Sequence, residues 1–172
     1  MQTIHTERLM LTPLGMKYLE TVHEYASDPE NTEYMLCLPN ETIEETKEFV
    51  QNAQLEWAKD KPSFYEFAIL YEKQHIGAVS IYLNEDASGE LGWIINKRYW
   101  RQGITYEAAS ALLQYAKKEL NVHHFIAHCD SENIASYKIM EKLGMSRTGA
   151  SGGRKNRGSE EERTEYVYEL HI

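Results

Sequence analysis

The segment Tyr99-Trp-Arg-Gln-Gly-Ile-Thr-Tyr-Glu107 is the part of the chain best suited to chemistry, because a glycine flanked by polar and basic residues stands directly ahead of an amphipathic run. It is neither a Walker P-loop nor the dinucleotide GxGxxG fingerprint. Such a turn opens its backbone N–H groups onto a helix N-terminus, where unpaired donors and the macrodipole favour a phosphate. Gly103 lets an anion come close to the backbone, and Lys97, Arg98 and Arg101 put positive charge beside it, as a diphosphate requires. The same residues also suit an ordinary tight strand-to-helix turn with solvated bases. His124 and His128 share one strand face beside His123, but no clear third and fourth ligand accompanies them, so no metal site is expected. Cys37 and Cys129 are too few and too far apart for a disulfide framework or a zinc site, and Cys129 reads as a small buried hydrophobe. Covalent acyl-enzyme chemistry would need a base beside a cysteine, which position alone does not show. Tyr34, Phe64 and Tyr65 read as core residues, with walls of a ligand pocket as the second reading.

The elements around these residues follow from periodicity. Leu9 and Leu11 alternate in a short strand from Arg8 to Thr12, and residues 15–27 read as a helix. Thr42 and Glu45 form a capping box ahead of Ile43, Thr46, Val50, Ala53 and Trp57, which recur on one helix face. The irregular segment Met35–Asn40 between these helices is placed to border a substrate pocket. Phe64–Tyr71 and His75–Leu83 read as a hairpin, and Glu90–Asn96 as the third strand of the meander. A helix follows over residues 103–120, then a short buried strand, His124–Cys129. Residues 133–143 form a further helix with Gly144 as its C-cap, and Met145–Thr148 resumes the sheet. Residues 150–162, nearly devoid of apolar side chains, read as a mobile loop before a last strand, Thr164–His171. The order predicts a mixed α/β (α+β) layer of about seven mostly antiparallel strands and about four helices, with one parallel crossover near the middle.

At 172 residues, with 42% hydrophobic and 26% charged residues, the chain suits a single folded domain spanning 1–172. No apolar run approaches the roughly 20 residues of a membrane span, and Met1–Met10 carries His, Glu and Arg where a signal peptide would be apolar. A soluble, cytoplasmic protein without membrane partners is expected. A net charge of −9 opposes general nucleic-acid binding, including through the basic residues between Arg154 and Arg157, which no aromatics interleave. The charge is uneven: residues 1–90 hold 17 acids and 6 bases, residues 91–172 hold 10 acids and 12 bases. A cationic and an anionic ligand would suit such a split, as would an acidic surface that serves solubility alone.

The run ELGWIINKRYWRQGITYEAA from Glu90 to Ala109 and the run NIASYKIMEKLG from Asn133 to Gly144 resemble the GNAT acetyltransferases. Together with Thr6-Glu-Arg-Leu9 they are most similar to the branch holding ribosomal-protein N-terminal acetyltransferases and spermidine acetyltransferases, and the resemblance covers nearly the whole chain. It implies transfer of acetyl from acetyl-CoA to an amine, with pyrophosphate on Arg101, Gln102, Gly103, Ile104, Thr105 and Tyr106, and pantetheine along Trp93, Ile94 and Ile95. Asn133, a helix N-cap in its own right, is implied to lie against the pantetheine arm. The chain departs from the family where Trp100 and Thr105 fill the outer positions of the pyrophosphate pattern. It departs again at Met140, where many members carry a tyrosine general acid. In this branch a serine is the substitute, and Ser136 occupies that place.

The implied reaction sets the remaining roles. An amine with pKa about 10.4 must lose a proton before it attacks the thioester, and Glu90, acting through water, is the candidate base. Backbone N–H groups of Trp93–Ile95 would stabilise the thioester oxygen if the strand splays open there. Ser136 or Tyr137 would protonate the departing thiolate. The acceptor is a peptide N-terminus or a small cationic amine. The alternative is a non-catalytic CoA-binding regulatory module with the same fold, which Met140 keeps open. A homodimer through the last strand is a further arrangement to test.

Overall fold

A computed structural model describes residues 2–172. Its centre is one eight-stranded sheet in the order β1-β2-β3-β4-β5-β6-β8-β7. The strands are β1 (Ile4–His5), β2 (Leu9–Pro13), β3 (Phe64–Tyr71), β4 (Gln74–Leu83), β5 (Gly89–Ile95), β6 (His124–Asp130), β7 (Ser146–Lys155) and β8 (Glu162–His171). The helices are α1 (Leu19–Ala26), α2 (Ile43–Trp57), α3 (Ile104–Glu119) and α4 (Ile134–Lys142). Strands joined by short turns pair antiparallel, and β5 and β6, joined through α3, form the parallel pair.

Each sheet face carries its own apolar cluster, because side chains alternate along every strand. Leu91 and Ile95 of β5 join Phe67, Ile69, Val79 and Phe125 under α3, which buries Ile104, Ala108, Leu112 and Ala116 at helical spacing. On the other face Ala68, Leu14 and Ile94 pack against Val22 and Tyr25 of α1 and Val50 and Ala53 of α2. The α2 capping box forms as expected: Thr42 Oγ1 accepts from Glu45 N, and Glu45 Oε2 accepts from Thr42 N. A cap of this type is worth about 1 kcal/mol.

The structure differs from the sequence expectation in four places. β1 adds an eighth strand whose two residues are too short to show a period. Residues 15–27 divide into a 3-10 turn, Met16–Tyr18, and α1. The supposed mobile loop at 150–162 is mostly strand, since β7 runs to Lys155 and β8 begins at Glu162, with Arg154 opposite Arg163. Finally, β8 is paired on both sides, by β6 and β7, so the edge proposed for pairing with a second copy is occupied. Among the described residues no helix is long and apolar enough to cross a membrane.

Candidate active site

Three features converge where β5 and β6 part. First, the two strands pair only at Gly89–Phe125 and Glu90–Ile126, whereas β5 matches β4 along its whole length and β6 matches β8 from His124 to Asp130. From Leu91 to Ile95 the β6-facing edge of β5 therefore has no β6 partner among the described residues. The lower end of the opening is tied off by Ile95 O, which accepts from Asn31 Nδ2 at 3.0 Å and from the Trp100 indole at 3.1 Å. Ile95 lies buried in the α3-side core with Trp93 packed against it, and Ile94 packs on the opposite face, so these residues offer a ligand their backbone edge.

Second, the turn before α3 leaves backbone donors without partners. Arg101 (φ 61°) and Gly103 (φ 74°) both take left-handed backbone, which swings Gln102–Gly103 out and starts the helix at Ile104. No side chain caps that helix, and its first internal bond is Glu107 N to Gly103 O. The N–H groups of Ile104, Thr105 and Tyr106 are thus free of helical partners. Glu107 would oppose an anion here, but Thr6 Oγ1, Arg8 N and Arg8 Nε donate to its carboxylate at 2.6, 2.9 and 2.7 Å. Burial raises the Glu107 pKa, but these bonds outweigh it and hold the carboxyl below its usual range. Arg8 Nη1 also donates to Gln102 O at 2.9 Å, so its guanidinium braces the turn from the side. Lys142 of α4 lies over the Tyr106 ring at 4.1 Å and adds a second cation. Arg8 and Lys142 escaped the sequence reading, since each reaches the turn only through the fold.

Two of the three predicted bases are committed elsewhere. Lys97 pairs with Asp28 and Glu30 at 2.8 and 2.7 Å, and Arg98 pairs with Glu24 of α1. Arg101 is exposed beside the turn.

Third, Glu90 stands at the mouth of the opening with a partner. His128 Nδ1 lies 3.0 Å from Glu90 Oε1, and this contact, stronger than the opposing effect of burial, raises the His128 pKa above its usual value. The parallel register that places Glu90 opposite Ile126 brings His128 to it. Behind Glu90 the same face holds Tyr82, its partner across β4, whose hydroxyl donates to Glu66 at 2.8 Å. Glu66 is buried, which pushes its pKa up to about 7 against the bonds from Tyr82 and Ser80. Tyr82 stacks on Phe64 at 4.9 Å.

α4 places the remaining candidates. Asn133 caps it by accepting from Ser136 N at 3.2 Å. Ser136 and Met140 are its buried residues, and among the described residues the Ser136 hydroxyl makes no bond back to the helix. Tyr137 points instead into an aromatic group with Tyr166 and Tyr168, so the structure separates it from Ser136. Cys129 is buried and its thiol pKa is pushed up to about 11, chiefly by burial, which suits packing.

A half-opened parallel pair with an uncapped glycine turn below it offers a cleft with unpaired backbone donors at one end, and comparison with known proteins supplies the class. Residues 8–146 match the family described as the acetyltransferase (GNAT) domain, and the chain belongs to that family. It is an acetyltransferase of the mixed α/β GNAT fold. The uncharacterized N-acetyltransferase YnaD of Bacillus subtilis is 36% identical over 149 residues, covering 85% of this chain and 84% of YnaD. A GNAT-family acetyltransferase crystal structure from Bacillus anthracis superposes with a TM-score of 0.81 at 31% identity, over 99% of this chain and 98% of that one. The ribosomal L7/L12 alpha-N-protein acetyltransferase RimL, solved in complex with coenzyme A, shares the fold with a TM-score of 0.83 at 17% identity, over 96% and 97% of the two chains.

Proposed function

We propose that the protein moves the acetyl group of acetyl-CoA directly to a primary amine, of a peptide N-terminus or of a small cationic molecule. The observation that carries this reading is the parting of β5 from β6 after Glu90, with the α3 turn at one end of the gap and the Glu90–His128 pair at the other. Pyrophosphate on the N–H groups of Ile104–Tyr106 would anchor the cofactor, with Arg8 and Lys142 supplying charge. Pantetheine would then lie along the unpaired edge of Trp93–Ile95 and against Asn133. There the backbone N–H groups would face the thioester oxygen as it gains charge. Glu90 with His128 would take the amine proton, and the Ser136 hydroxyl would donate a hydrogen bond to the departing thiolate, which would take its proton from solvent. Exposed Glu41, Glu44 and Glu48, at the start of α2, favour a cationic acceptor on that side.

The test is thiol release from acetyl-CoA over a panel of cationic amines and N-terminal peptides, with CoA binding measured calorimetrically in parallel. Turnover with one class supports the reading and identifies the acceptor. Tight CoA binding with no turnover on any acceptor, and no effect of Glu90→Gln, would favour the regulatory alternative. Failure to bind CoA would overturn the assignment of the Gly103 turn.

A further inference from the structure

We propose that His124, Glu169 and His171 form a site for a divalent transition-metal ion of the zinc type, separate from the acetyl-transfer centre. In the antiparallel β6–β8 ladder His124 lies opposite His171 and Ile126 opposite Glu169, so the three side chains share one face. The two imidazoles stack with centroids 4.0 Å apart and planes 14° apart. Both present Nε2 to the same oxygen, Glu169 Oε2, at 2.6 Å from His124 and 3.9 Å from His171. One ligand atom from each residue lies within 4.8 Å of the other two. A single ion with nitrogen and oxygen ligands about 2.0–2.2 Å away can gather such a set with small side-chain shifts.

The surroundings fit the same chemistry. Thr148 Oγ1 of β7 donates to Glu169 Oε1 at 2.7 Å, which orients the carboxylate and leaves Oε2 for a ligand. The depression that His124 and His171 line also holds Asp86, a fourth group of the oxygen type. Two imidazoles and a carboxylate, without thiolate, suit zinc, nickel or copper. His124 Nε2 lies within hydrogen-bond distance of Glu169 Oε2 and His171 Nε2 outside it; an ion among the three would bind them all.

The site is not the reaction centre. His124 opens β6 and His128, the partner of Glu90, lies four residues along, about 13 Å at roughly 3.3 Å per residue. An ion at His124 would instead clamp β6 to β8 and, through Thr148, to β7.

Titration of the chelator-treated full chain with Zn²⁺ alone, by calorimetry and thermal melting, tests this. One ion per chain and a raised melting temperature are expected. His171→Ala, at a residue whose side chain is 72% exposed, should fold normally; it and Glu169→Gln should weaken binding by more than about tenfold and remove the thermal gain. His123→Ala should change neither, because its ring bonds instead to Ile172 O and Asn121 Oδ1 at 2.8 and 3.2 Å. Cys37→Ser, at an exposed thiol, should likewise change neither. The proposal is overturned by a wild-type chain that does not bind Zn²⁺ saturably, by affinity that survives His171→Ala and Glu169→Gln, or by affinity that follows Cys37.

Discussion

At the scale of single residues, two titrating groups on the Glu90 face act through different physics. Glu66 is buried and its folded-state pKa is about 7, above that of an exposed carboxyl. A group whose folded pKa is raised lends stability that is complete below its unfolded pKa and is lost as pH climbs through the folded value. Stability should therefore fall from about pH 4.5 to above pH 7, by about 3 kcal/mol from this group. Glu66→Gln keeps an acceptor for Tyr82 and should flatten that slope in urea melts at several pH values; an unchanged slope would show that Glu66 is ionised at little cost. His128 owes its raised pKa to Glu90. If the pair takes the amine proton, kcat/KM must rise with pH through a midpoint above the ordinary imidazole value of about 6.5. His128→Asn should remove that limb and lower kcat by about 100-fold, and a pH–rate profile of both proteins decides it. The sequence made Glu90 a candidate by its place on the strand, yet nothing in linear spacing pairs it with His128. That contact depends on the parallel register of β5 against β6, Gly89 with Phe125 and Glu90 with Ile126, which joins strands separated in sequence by the whole of α3.

Elements were legible to the extent that they bury a face. α2, α3 and α4 announce themselves by apolar periodicity, and the β3–β4–β5 meander by its aromatic and branched residues. β7 is the instructive failure. Arg154 is the one buried side chain in a strand composed largely of Ser, Gly and Arg, so no alternation marks it. Ladder bonds to β8 hold it, together with Arg154, which pairs with Glu165 at 2.6 Å and donates to Tyr34 O at 2.9 Å. The α3 turn shows the opposite case, in which local sequence dictates local structure. Gly103 takes φ 74°, and a Cβ there would meet only Arg8 Nη2 at 3.5 Å. Gly103→Ala therefore has room, and its cost is the left-handed backbone itself, about 1–2 kcal/mol. Relaxation of that turn should re-aim the Ile104–Tyr106 N–H groups and weaken CoA binding by about tenfold, with kcat at saturating acetyl-CoA nearly unchanged. Arg8→Ala should also weaken CoA binding, because it leaves the Glu107 carboxylate without its guanidinium beside the proposed phosphate site. Calorimetry with CoA checks both variants, and wild-type affinity in each would remove the turn from the cofactor site.

For the whole molecule, the uneven charge along the chain becomes an uneven charge in space. The acid-rich residues 1–90 build α1, α2 and the strands up to Gly89, while residues 91–172 contribute the α3 turn, α4 and the β7–β8 hairpin. Three of the second half's twelve bases are spent where the halves meet: Lys97 on Asp28 and Glu30, Arg98 on Glu24, and Arg157 of the hairpin tip on Glu45 at 2.8 Å. Those exposed pairs contribute little stability each, but exposed Glu41, Glu44 and Glu48, against the single exposed Lys47, leave a net negative charge at the start of α2. A field of that sign raises the local concentration of a cationic acceptor and is screened over about 8 Å at physiological salt. The kcat/KM for a polyvalent amine should accordingly fall severalfold between 50 mM and 500 mM NaCl, whereas that for a peptide with an uncharged side-chain set should change far less. Glu44→Gln/Glu48→Gln, at exposed positions of α2, should reproduce at low salt the rate seen at high salt. Equal salt dependence for both acceptors would mean that the acidic half serves solubility, and that selection of the acceptor lies wholly in the contacts beside Glu90 and Tyr82.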